Sequence, residues 1–108
     1  HIPEYLDTVT FHCQQAIEKT LKALIELNDK KVPRKHDLLT LKSLVSDCFE
    51  IEREDILETL NSLYLEARYP DSLGLLPNGK PEIEDVKTFY DYAKDIYHRA
   101  GRIIENMS

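Results

Sequence analysis

Residues 82–106 carry Ile83, Val86, Phe89, Tyr90, Ala93, Ile96, Tyr97, Ala100, Ile103 and Ile104, an apolar series that advances by three or four residues in nearly unbroken period. That period marks one face of an α-helix, and at 1.5 Å per residue such a helix is about 37 Å long. A helix of this length is the spine of whatever the chain folds into, because its apolar face has to be covered by the rest of the sequence. Three further segments keep the same period. Leu6, Val9, Cys13, Ala16, Ile17, Leu21, Leu24 and Leu27 predict a helix over about 7–28 with Asp7 as its N-cap. Leu38, Leu41, Leu44, Val45 and Cys48 predict a short helix over 37–47, entered from a polar connector that contains Asn28, Asp29 and Pro33.

Ile56, Leu57, Leu60, Leu63, Tyr64 and Ala67 predict a further helix that ends near Ala67, with Glu54 and Asp55 in its first turn, where acids complement the helix dipole. The stretch RYPDSLGLLPNGKP (68–81) then crowds Pro70, Gly74, Pro77, Gly79 and Pro81 together and reads as the longest loop. No stretch alternates strictly as a half-buried strand does, and there is no internal repeat. The expected fold is all-α, an antiparallel up-and-down bundle of about four helices, built as a single domain over 1–108.

Charge and cysteines narrow the function. Fourteen basic residues against 20 acidic ones leave a net charge of −6, which argues against a protein that coats duplex DNA. No apolar run approaches the roughly 18 residues of a membrane span, so we expect a protein with no membrane partner. Cys13 and Cys48 lack the spacing to each other or to a histidine that a zinc site needs, and no cofactor motif is present. We expect no metal, no cofactor and, with no signal peptide at the start, a reduced cytoplasmic setting. The chain starts at His1 and not at a methionine, from which we expect further residues upstream in the native protein.

The fragments FHCQQAIEKTLKALI (11–25), KHDLLTL (35–41) and LEARYPD (65–71), in this order and followed by a long C-terminal helix, resemble the HEPN domain family over nearly the whole chain. The resemblance implies a helical bundle, a homodimer, and nucleotide or RNA chemistry beside a nucleotidyltransferase-like protein, with a toxin–antitoxin pair as one such setting. Many family members are ribonucleases in which an Arg is followed after four to six residues by a His. None of Arg34, Arg53, Arg68, Arg99 and Arg102 has a His at that spacing, so no catalytic residue is carried over.

Several constellations are candidates for binding. His12, Gln15, Lys19 and Lys22 stack along one helix side and can donate to phosphate oxygens or base edges. A competing row, Gln14, Glu18 and Lys22, lets Glu18 pair with Lys22 and leaves an ordinary solvated or dimer-facing surface as the other reading. Arg68, Tyr69 and Asp71 put a guanidinium, an aromatic ring and a carboxylate at a helix end beside a proline-constrained loop; they either hold a nucleotide or simply finish the helix and its turn. Lys30, Lys31, Arg34, Lys35 and His36 form a basic connector, either a polyanion contact or a solvated loop. His36, just before Asp37, is expected at the start of the second helix, His98 has no acidic or nucleophilic partner at a useful spacing, and neither is a convincing catalyst. Tyr90, Tyr92 and Tyr97, with Phe89, have the chemistry of stacking platforms, but at helical spacing they are expected in the core or at a dimer seam. Three function classes follow: a nucleotide- or RNA-binding module, a ribonuclease that combines Arg68 with His12 or His36, or a dimerisation scaffold without ligand.

Overall fold

The computed structural model describes the backbone of residues 2–68 and 82–106 and the side chains of 8–63 and 82–106. The described residues form four helices, α1 (Ile2–Leu27), α2 (Leu38–Val45), α3 (Glu54–Arg68) and α4 (Ile83–Asn106), and no strand. The molecule measures 43 × 24 × 21 Å, and its long dimension is that of its two long helices. α1 touches all three other helices, most extensively α4.

Contact with three helices widens the buried face of α1 beyond a single stripe. Ile17, Leu21, Leu24 and Ile25 are at most 1% exposed, and Ile25 stands outside the stripe read from the sequence. Leu27 and Ala16, placed on that stripe by their spacing, are exposed. The start of α1 also corrects the sequence reading. The helix begins at Ile2, so Asp7 lies within it and does not cap it. Pro3 falls in the first turn, where the missing N–H costs no hydrogen bond and the fixed φ suits the helix.

The helix ends have local causes. α1 stops in a Schellman arrangement: Asp29 takes φ 59°, the Lys30 N–H bonds the Ile25 carbonyl at 3.1 Å and the Asp29 N–H bonds the Glu26 carbonyl at 3.0 Å. Asp37 caps α2, its carboxylate accepting the Leu39 N–H at 3.0 Å. The same carboxylate accepts from the Asn61 amide at 2.9 Å, and the Asn61 oxygen accepts the Leu38 N–H at 3.0 Å, which ties the start of α2 to α3. α2 ends at Val45, so Cys48 lies beyond the helix and is exposed; the turn that follows buries Phe49 and Ile51 in its place. Arg99 and Tyr92 of α4 hold that turn, donating to the carbonyls of Glu50 at 2.7 Å and Glu52 at 2.8 Å. The Arg99 guanidinium also lies 4.9 Å from the centre of the Phe49 ring.

Candidate functional site

The polar centre of the molecule is Glu18, in the middle of α1. It is 4% exposed, and beside it Gln14 is 1% exposed. A buried carboxylate needs partners for its charge. Lys22 supplies one, with Nζ 3.0 Å from Oε2, the pairing expected from the spacing of the row. His36 supplies the second, its Nδ1 2.8 Å from the same oxygen. Gln14 reaches Oε1 at 3.4 Å, and the Gln15 amide donates to Gln14 at 2.7 Å. Burial by itself raises the Glu18 carboxyl, but the hydrogen bonds and charges of Lys22 and His36 outweigh it and hold the group below the ordinary glutamate range.

The sequence places His36 at the start of the second helix, with no link to Glu18 foreseen. Its link to Glu18 exists because the connector after α1 folds back along that helix. Lys30 is anchored to the end of α2 through the Leu44 carbonyl at 2.7 Å and Asp47 at 3.0 Å, and this bond holds the Asp47 carboxyl below its usual range. Val32 then lies over α1 in a shallow cleft of about 580 Å³ lined also by Lys19, Lys22, Ala23, Glu26 and Lys30. His36 closes the excursion at Glu18. Lys30 and Val32 of the connector thus share the cleft with Lys19 and Lys22, and the connector also carries Lys31, Arg34 and Lys35. Lys19, Lys31, Arg34 and Lys35 are exposed and take part in no ion pair or side-chain hydrogen bond among the described residues.

The stacked row His12, Gln15, Lys19 and Lys22 therefore divides. Lys22 and Gln15 belong to the Glu18 network, and Lys19 lines the cleft under the connector. His12 lies two turns away, in an apolar groove of about 390 Å³ between α1 and α4, against Val9, Cys13, Ala16, Tyr90 and Tyr97. Cys13 is buried there, which pushes its thiol up and fits a packing role. Tyr90 and Tyr97 are exposed and not in the core, whereas Tyr92 is half-buried. Arg68 is the last residue of α3, its side chain outside the described set; Tyr69 and Asp71, and the loop over 69–81, also lie outside the described residues.

Among the described residues no cluster of His, Cys, Asp and Glu could hold a metal ion, and no helix is long and apolar enough to cross a membrane. Among known families the chain matches the model described as HEPN domain over residues 3–105. No curated protein and no solved structure matches the chain significantly.

Proposed function

The chain belongs to the HEPN domain family, and from that premise we propose that it is a nucleotide- or RNA-binding module that acts as a homodimer with a nucleotidyltransferase-like protein, as in a toxin–antitoxin pair. Family membership suggests a nucleotide- or RNA-related module, and HEPN domains commonly dimerise. The reading is supported by the shallow cleft over α1, where Lys30 and Val32 of the connector meet Lys19 and Lys22, and by the exposed Lys31, Arg34 and Lys35 of the same connector, in a chain whose net charge is −6. Cations already committed to a carboxylate, such as Lys22, contribute less, because a phosphate has to compete with Glu18 for them. A phosphate chain drawn to Lys19, Lys31, Arg34 and Lys35 neutralises them without breaking an internal ion pair. The cytoplasm is the proposed setting.

Arg68, Tyr69 and Asp71 stay in the proposal on their chemistry in the sequence alone: a bidentate phosphate holder, a ring that stacks on a base and a carboxylate that orients the turn. His12 and Gln15 fall outside the cleft, one in the apolar groove and the other bonded to Gln14.

Fluorescence anisotropy with a labelled single-stranded RNA, with ATP and GTP as competitors, tests the reading. If all four open cations contact phosphates, log K falls with log salt at a slope of about −3, and the Arg34→Glu, Lys35→Glu double variant roughly halves that slope. Binding indifferent to salt and to the double variant rejects these cations as the site. Absence of binding to any of the three ligands leaves a dimerisation scaffold. The ribonuclease alternative has its own observation, an imidazole oriented by a buried carboxylate in the His36 and Glu18 pair. Cleavage of the same RNA that disappears in His36→Ala would replace the binding reading with an enzymatic one.

A further inference from the structure

Six large apolar side chains are prominently exposed among the described residues, and four of them lie on α4: Ile83 at 48%, Tyr90 at 54%, Tyr97 at 62% and Ile104 at 38%. These four stand seven residues apart. On an α-helix a seven-residue step drifts by only about 20°, so they form one stripe that runs for roughly 32 Å. Val86, Ala93 and Ala100 repeat at the same interval, three residues after each of the first three, and are 8%, 7% and 1% exposed. The Val86 row with Phe89 and Ile96, 4% and 0% exposed, makes the face that α4 buries within the domain, and the Ile83 row runs uncovered along the edge of that face.

Read along the chain the open row is Ile, Tyr, Tyr, Ile, the same in both directions. A palindromic row is self-complementary across a two-fold axis between Tyr90 and Tyr97, which sets Ile83 against Ile104 of a second copy and Tyr90 against its Tyr97. The antiparallel sense also sets the N-terminus of each α4 beside the C-terminus of the other, which suits the helix dipoles. We infer that a second copy of the chain docks antiparallel along this stripe of α4, with the tyrosine rings of each copy entering the other's groove between α1 and α4. That groove, of about 390 Å³ and lined on α1 by Val9, Cys13 and Ala16, borders the stripe along Tyr90 and Tyr97. The inference rests on the homodimer reading above and names the surface that reading uses.

Sedimentation velocity of the wild type over a hundredfold range of concentration, beside Tyr90→Glu and Tyr97→Glu, tests it. Both tyrosines are more than half exposed, so circular dichroism is expected to show the helices intact while the dimer is lost. The register is tested by disulfide formation in a Cys48→Ser background, since Cys48 is the exposed native thiol. Mixing the Ile83→Cys and Ile104→Cys proteins is expected to give a cross-linked heterodimer, whereas Ile83→Cys alone gives none, because antiparallel copies hold its two sulfurs about 30 Å apart. A wild type that is monomeric throughout overturns the homodimer reading and this surface with it. A dimer that survives both glutamate variants, or an Ile83→Cys protein that links to itself, leaves the homodimer standing and overturns this seam.

Discussion

Replacing Glu18 probes the link between the bundle and its connector. In Glu18→Ala, Gln14, which is 1% exposed, loses the acceptor of its amide, and an unsatisfied buried polar group costs about 1–3 kcal/mol. Lys22 and His36 lose their shared carboxylate. Removing one partner of a fully buried pair costs about 3–5 kcal/mol, but the side chains of Lys22 and His36 are 24% and 46% exposed and regain water, so about 1 kcal/mol remains from that source. The expected loss is about 2–4 kcal/mol. For 108 residues an unfolding entropy of about 2.1 cal/mol/K per residue converts this to a fall in Tm of roughly 9–18 °C. Thermal unfolding followed by circular dichroism at pH 7 measures it, with Glu18→Met as a control, since an apolar side chain of similar size refills the space and recovers part of the loss. The pH dependence has a fixed sign. The folded carboxyl lies below its unfolded value, so its contribution is present above the ordinary glutamate range and disappears as pH falls through the lowered folded value. The difference between wild type and Glu18→Gln should close over that acidic window. A Glu18→Ala protein that melts within about 2 °C of wild type, or a difference that persists unchanged through acid, refutes the account of Glu18 as the anchor of the connector.

Asp37→Ala removes both the N-cap of α2 and the acceptor for Asn61, and should cost about 1–2 kcal/mol in urea unfolding; Asp37→Asn should recover much of it, and equal losses in the two variants would count against capping as the cause. The Tyr92 phenol, raised first by burial and then by the charge of Asp55, is pushed up to about 12. A raised value means that its contribution is complete below the unfolded tyrosine range and is lost as pH rises through the folded value, so Tyr92→Phe should cost about 1 kcal/mol at neutral pH and flatten the alkaline loss of stability. Ultraviolet difference titration that finds every tyrosine ionising together near 10 would remove the basis for this.

Helical period was legible because it is local. The rows from Ile17 to Leu24, Leu38 to Val45 and Val86 to Ala100 mark helices in the sequence for the same reason that they bury a face in the bundle. The pairing of Glu18 with Lys22 was legible too, since four residues on one helix fix their distance. The start of α1 was misread because Asp7 has capping chemistry, while the backbone had already entered the helix at Ile2, ahead of a first-turn proline. Period alone could not assign Ile25 and Glu18 to the interior, since that follows from α1 meeting three neighbours at once. The contact between Glu18 and His36 spans eighteen residues, and the turn at Asp29 and the anchoring of Lys30 on Asp47 bring it about. By itself the sequence determined that the chain is helical and where its charges lie along it, because a hydrophobic period and a side-chain type are properties of neighbouring residues. Only the tertiary structure decided which charges are spent on one another and which apolar stripe stays open, because both depend on how the connector and α4 lie against α1.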